Sequence, residues 1–166
     1  FSNKRNIYRV PMQNLKERII SVYGDEFKNN LIQVQHNHDN YNITGYVGNL
    51  SLINKRQGNQ YIYLNGRFIQ NRLLNNAIYS SYYTLIKRGE FPFYSLFISM
   101  PYENYDVNVH PSKLEVKFTN EWHIYNILKA SIKNILENIA KVIPNYKQYN
   151  YFSPTLRNNE TLQFNN

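Results

Sequence analysis

The stretch Asp106 to Phe118, DVNVHPSKLEVKF, decides how this chain is read. Asp106 to His110 and Leu114 to Phe118 each alternate apolar and polar residues, the period of half-buried strands. Between them Pro111 fixes φ and bars continuation of a strand ladder. Two strands joined by a tight turn are therefore expected, with Lys113 projecting from the connection. An ammonium on a short, rigid turn suits a phosphate, which it meets as a point charge. Asp106, Asn108 and His110 are expected to hold the turn through side-chain-to-backbone hydrogen bonds. Nothing in the sequence supplies a partner that would orient His110 as an acid or base.

Upstream, Phe93 to Ser99 reads as another strand. It is preceded by a helix over Asn71 to Lys87 in which Leu74, Ala77, Ile78, Ser81 and Leu85 share a face. Lys87 and Arg88 are expected at the carboxyl end of that helix, where cations favour its dipole, and Gly89 as its stop. Gln60 to Leu64 has strand character, and Asn65-Gly66 after it is a turn pair that tolerates positive φ. Asn54 to Asn59 is a polar loop carrying Lys55 and Arg56. Further back, Asn30 to Gln35 and Tyr41 to Val47 read as a hairpin through the polar run His36 to Asn40. His36, His38 and Asp39 are ligand types, but a solvated loop without a further convergent ligand makes a weak metal site, and none is assigned. Leu15, Ile19, Val22 and Tyr23 recur at helical spacing, so Asn14 to Tyr23 is read as a short amphipathic helix stopped by Gly24.

Downstream, Thr119 is expected to cap a long helix whose face is marked by Tyr125, Leu128, Ile132, Ile135, Ile139 and Val142, with Pro144 ending it. Residues from Asn145 onward are polar and lack periodicity. The mixture of elements favours an α+β domain with helices gathered on a mostly antiparallel or mixed sheet.

A chain of 166 residues is long enough for one domain with a core and too short for two ordinary ones. No apolar run approaches a bilayer span and no signal-peptide pattern is present, so no membrane role and an intracellular setting are expected. Absence of cysteine excludes a disulfide framework, a thiolate nucleophile and a cysteine-type zinc site. The net charge of +8 makes an anionic partner plausible. The sequence holds no Gly-x-x-x-x-Gly-Lys phosphate loop, Gly-x-Ser-x-Gly elbow or paired-histidine zinc motif, which speaks against an isolated catalyst.

Several separated strings in order, RIISVYG at Arg18 to Gly24, ITGYVGN at Ile43 to Asn49, YIYLNGR at Tyr61 to Arg67, RLLNNAI from Arg72 and DVNVHPSKLEVKF from Asp106, resemble the MutL family of DNA mismatch repair proteins. The resemblance runs from about Leu15 to about Ile143 and is to the second, transducer domain of the family's amino-terminal ATPase region. The intact DVNVHP and LNGR strings resemble prokaryotic MutL and its nearest eukaryotic relatives more than divergent paralogues. The fold it implies is that of the second domain of ribosomal small-subunit protein five: a mixed sheet covered by helices, with a left-handed β-α-β crossover. In domain terms, residues 1–13 would connect from an ATPase domain outside this chain, 14–144 form the transducer domain, and 145–166 form a tail or interdomain linker.

The resemblance also implies roles. Lys113 would reach a neighbouring nucleotide-binding domain and contact the γ-phosphate of ATP, with ATP and Mg2+ bound mainly by that other domain. Arg72 would contact DNA, and Arg67, Lys55 and Arg56 are candidates to extend its surface. Asp106, Asn108, His110, Pro111, Asn65 and Gly66 would be structural turn residues. Expected partners are DNA, a MutS-type mismatch sensor, a downstream nuclease or helicase, and a second MutL chain as homodimer or paralogue heterodimer. The setting would be cytoplasm and nucleoid in a prokaryote or nucleus in a eukaryote. The charge suits equally a ribosomal-type RNA-binding module of the same fold, and a pure protein-interaction domain is a separate alternative.

Overall fold

In a computed structural model of the chain, residues 12–107 and 114–142 are described. Helix α1 (Met12–Tyr23) leads into a hairpin of β1 (Leu31–His38) and β2 (Tyr41–Gly48). Then come β3 (Gln60–Leu64), β4 (Arg67–Ile69), α2 (Arg72–Tyr82) and β5 (Tyr94–Ser99). The short pair β6 (Tyr105–Asp106) and β7 (Lys117–Phe118) precedes α3 (Glu121–Val142). The main sheet is mixed, in the order β1-β2-β5-β3-β4. Only the β3–β5 pair in it is parallel, so β4 and α2 together make the crossover between those two strands. The domain is thus α+β, as its residue patterns indicate.

Alternation along the strands sorts the side chains between two faces. Ile43, Val47, Ile62, Leu64, Leu96 and Ile98 point to one face and form a core with Leu74, Ala77 and Ile78 of α2 and Ile124, Leu128 and Ile132 of α3. The opposite face carries Tyr46, which packs with Ile19 of α1, Phe27, Leu52 and Phe93 in a smaller cluster. Gly45 is needed where β5 crosses it: its φ is 135°, and a Cβ there would run into the carbonyl oxygen of Ser95.

Several boundaries differ from the local reading. The hairpin turn is only Asp39-Asn40, with Asp39 at φ 50°, so His36, Asn37 and His38 are strand residues paired with Ile43, Asn42 and Tyr41. Pairing extends there because the ladder satisfies backbone groups that a long polar loop would leave to water. Helix α2 ends at Tyr82, not Lys87: the N–H groups of Leu85 and Ile86 both donate to the Tyr82 carbonyl, at 2.7 and 3.1 Å, and the chain turns off. Lys87 and Arg88 therefore lie in the connection to β5. The buried Tyr82 hydroxyl donates to the Gly48 carbonyl at 2.7 Å, anchoring that end of the helix to the sheet.

Asn120, rather than Thr119, caps α3, its Oδ1 accepting from the His123 N–H at 3.0 Å. The Thr119 hydroxyl instead donates to the Glu103 carbonyl. The buried stripe of α3 includes Ile124, Ile127 and Leu136 beside Leu128 and Ile132, while Tyr125 and Ile135 are only partly buried. The stripe is rotated because α3 packs against both α2 and the sheet. Of the two strands expected around Pro111, β6 and β7 pair only as Tyr105 with Phe118 and Asp106 with Lys117. Leu114 to Val116 lies outside any strand.

Candidate functional site

The sheet end where β3 stops is built around one amide. Asn65, at φ 46°, and Gly66, at φ 83°, make the β3–β4 turn. The Asn65 N–H donates to the Ile98 carbonyl at 2.8 Å. Its side-chain Oδ1 accepts from the Met100 N–H at 3.1 Å, while Nδ2 donates to the Met100 carbonyl at 2.9 Å and the Tyr105 hydroxyl at 2.8 Å. One side chain thus holds the end of β5 as a further strand residue would, and ties down the start of β6. Asparagine suits this, because it tolerates left-handed backbone and carries both donor and acceptor.

Beside this turn Leu64, Asn65, Arg67, Tyr105, Asp106 and Val107 contribute to the lining of a cavity of about 290 Å3. Burial pushes the Tyr105 hydroxyl above the ordinary tyrosine range, against the opposing pull of its Asn65 hydrogen bond and the Arg67 charge. Arg67 itself is exposed. Asp106 faces Lys117 across the β6–β7 pair, an opposite-charge cross-strand arrangement.

The junction from β4 into α2 supplies the second half. Asn71 caps α2, its Oδ1 accepting from the Leu74 N–H at 3.0 Å, and its Nδ2 donates to the Val116 carbonyl at 2.9 Å. The Gln70 N–H donates to the Leu114 carbonyl at 2.8 Å. Arg72 is the first residue of α2 and is exposed. A cation at a helix amino terminus opposes the dipole, so this position favours an anion that screens the two. Local sequence gives no sign of Tyr105's role, whereas Asn71, just ahead of the apolar-periodic run of α2, is an N-cap type.

Val107, just before residues 108–113, lines the cavity beside Arg67, and Leu114, just after them, accepts from the Gln70 N–H. Lys113, Asn108, His110 and Pro111 lie outside the described residues. Lys55 and Arg56 are exposed and belong elsewhere: Asn54, next to Lys55, bridges Phe91 at the end where β3 and β5 begin. Arg67 follows the far end of β3, about 13 Å along the strand. Arg67 opens β4 and Arg72 follows its other end, while Lys55 and Arg56 lie before the end where β3 begins. Among the described residues no group of three or more metal-ligand side chains is arranged to hold an ion, and no helix is long and apolar enough to cross a membrane.

A family model described as DNA mismatch repair protein, C-terminal domain, matches residues 19–137. The chain belongs to the MutL family of DNA mismatch repair proteins. It is similar to the DNA mismatch repair protein MutL of Chlorobium phaeobacteroides, 40% identical over 136 residues, covering 80% of this chain and 22% of that protein. It is similar also to the MutL of Flavobacterium psychrophilum, 31% identical over 156 residues, 93% of this chain and 25% of the relative. The chain thus spans about a quarter of these bacterial MutL proteins. A crystal structure of the N-terminal domain of a DNA repair protein shares the fold, with a TM-score of 0.61 at 23% identity over 74% of this chain and 40% of the other. Within the MutL family match lie all the elements of the junction, from the Asn65-Gly66 turn to the start of α3.

Proposed function

We propose that this chain is the transducer domain of a MutL-type mismatch repair ATPase, inactive as a catalyst alone and completing a nucleotide site in its parent. The observation that carries this reading is how the segment bearing Lys113 is flanked: Val107 before it lines the cavity beside Arg67, and Leu114 after it accepts from the Gln70 N–H, two residues before Arg72. Lys113 directly precedes Leu114, whose carbonyl accepts from the Gln70 N–H, so the chain is anchored immediately after it. Lys113 neutralises charge on the terminal phosphate of ATP, a contact that exists only while that phosphate is present. ATP and Mg2+ belong mainly to a neighbouring nucleotide-binding domain. Loss of the contact releases Lys113, which couples nucleotide state to domain orientation.

Arg72, with Arg67 in support, contributes to binding the DNA backbone, a surface without base readout and therefore steeply weakened by salt. Mismatch sensing belongs to a MutS-type partner, and a nuclease or helicase acts downstream. The parent works as a dimer inside the cell. Steady-state ATP hydrolysis by the full-length protein tests the reading. A charge-assisted bond is worth about 1.5 to 3 kcal/mol, so Lys113→Ala is expected to slow turnover by roughly ten- to a hundredfold with an unchanged melting curve. Undiminished turnover would overturn the nucleotide role. Arg72→Glu is expected to weaken DNA binding and reduce the salt slope by about one unit per lost phosphate contact, leaving ATP turnover without DNA intact. An unchanged slope and affinity would remove Arg72 from the site.

A further inference from the structure

On the outer side of the helical layer, away from the sheet, α2 and α3 leave a groove of about 490 Å3 whose walls include Asn76, Ser80, Tyr83, Trp122 and Tyr125. Two of its large rings are left to solvent, Trp122 at 71% exposure and Tyr83 at 82%. Trp122 on α3 and Tyr83, just past the end of α2, both border one groove, and aromatic rings open to solvent at a groove can take a ligand with a planar face.

Their arrangement narrows the ligand further. The Trp122 and Tyr125 rings are parallel, with centroids 5.5 Å apart and planes within 4°. Tyr125 is pinned from behind: its hydroxyl shares a 2.9 Å hydrogen bond with Ser80, and the Lys129 ammonium lies 5.8 Å from its centroid. Trp122 is thus the open end of a stack whose inner ring is held to α2 through Ser80. A planar base can extend that stack, and the groove's Asn76 offers both donor and acceptor to a base edge. No groove residue named here is acidic, Arg72 heads the α2 wall, and Lys129 stands at the back of the stack, so the charge suits a polyanion. The carboxylate nearest in sequence is Glu121, the first residue of α3.

We propose that Trp122, backed by Tyr125, is a stacking platform for an unpaired base of single-stranded DNA whose phosphates run toward Arg72. The inference rests on the DNA-binding reading of Arg72 and adds to it the residue that takes a base. A duplex keeps its bases stacked on one another and can use only the phosphate contacts. A single strand can use both.

Trp122 is the only tryptophan in the chain, so its emission reports on the groove directly. The chain is titrated at low salt with oligo-dT and with a duplex, following tryptophan emission and, separately, anisotropy of a label on the DNA. Oligo-dT is expected to quench Trp122, and the duplex to bind without quenching. Trp122→Leu is expected to weaken oligo-dT binding by about five- to a hundredfold while leaving duplex affinity unchanged, with Trp122→Phe restoring part of the loss. Glu121→Gln is expected to tighten oligo-dT binding. If Trp122→Leu leaves oligo-dT affinity unchanged while Arg72→Glu lowers it, the platform is wrong and the phosphate contact stands. If wild type binds neither DNA, both readings fail. If emission ignores DNA but shifts with protein concentration or on removal of residues 143–166, the groove is filled by a second copy or by this chain's own tail, and the proposal is overturned.

Discussion

The two faces of the five-stranded sheet are covered in different ways, and the contrast separates what holds the domain together from what it leaves open. On the face under α2 and α3, Ile43, Val47, Ile62, Leu64, Leu96 and Ile98 are each at most 2% exposed. These are aliphatic side chains interdigitated with two helices, the densest way to remove apolar surface from water. On the other face α1 covers only the end around Tyr46, Phe93 and Phe27. Beyond it Tyr61, Tyr63, Phe68 and Phe97 remain partly exposed and protect one another, with Tyr63 and Phe97 stacked at 4.7 Å. Where α1 meets the sheet, the Tyr23 and Tyr61 hydroxyls share a 2.7 Å hydrogen bond. Aromatic rings with polar tips tolerate a half-wet face that leucine and isoleucine would not. The helical face therefore carries most of the stability.

Adjacent residues of β5 test that contrast most strongly, because they point to opposite faces. Leu96→Ala, on the helical face, is expected to cost about 2 to 5 kcal/mol, since the tightly packed site cannot collapse around the cavity. Phe97→Ala removes a larger ring but is expected to cost less, because that ring is partly in water already. Urea midpoints measure both, and equal losses would show that α1 and its aromatic neighbours carry as much as the helical layer. A smaller effect is expected at the junction: Asn71→Ala removes the cap of α2 and the tie to Val116, for about 1 to 2 kcal/mol. Thermal melting detects it, and no change would mean that the junction is held by backbone contacts alone.

The smallest difference between the faces emerges only in alkali. Burial is the main cause raising the hydroxyl pKa of Tyr94 on the helical face, and it likewise raises those of Tyr23 and Tyr46 on the other, above the ordinary 10.0. The folded state keeps these protons where the unfolded chain loses them. Their contribution is therefore complete below pH 10.0 and is lost as pH rises from there through the folded values. Denaturant midpoints should fall across that window. Tyr94→Phe should flatten the fall more than Tyr46→Phe, because Tyr94 is completely buried; the reverse order would put the greater desolvation on the α1 face.

Local signals in the sequence were good where a single residue's backbone chemistry decides the outcome. Asn65-Gly66 supplies two positive φ values in a row, and Gly24, at φ 104°, follows the last residue of α1. They were poorer where a long-range contact decides. The end of α2 is set by Tyr82 reaching Gly48, 34 residues away, and the apolar Leu85 beyond it made the helix read too long. The polar residues around His36 and His38 make that stretch read as a turn, yet pairing with β2 carries the strand through them.

The sequence by itself determined the family, the α+β class and the alternation that divides inward from outward residues, because each is written in residue identity and short-range spacing. Tertiary structure alone decided that β5 inserts between β2 and β3, that Asn65 clasps Met100 and Tyr105, and that Gln70 and Asn71, just before Arg72, bond Leu114 and Val116. The physical reason is that periodicity encodes how much apolar surface a segment must bury. Which partner buries it depends on pairings whose cost and reward are settled only when distant parts of the chain meet.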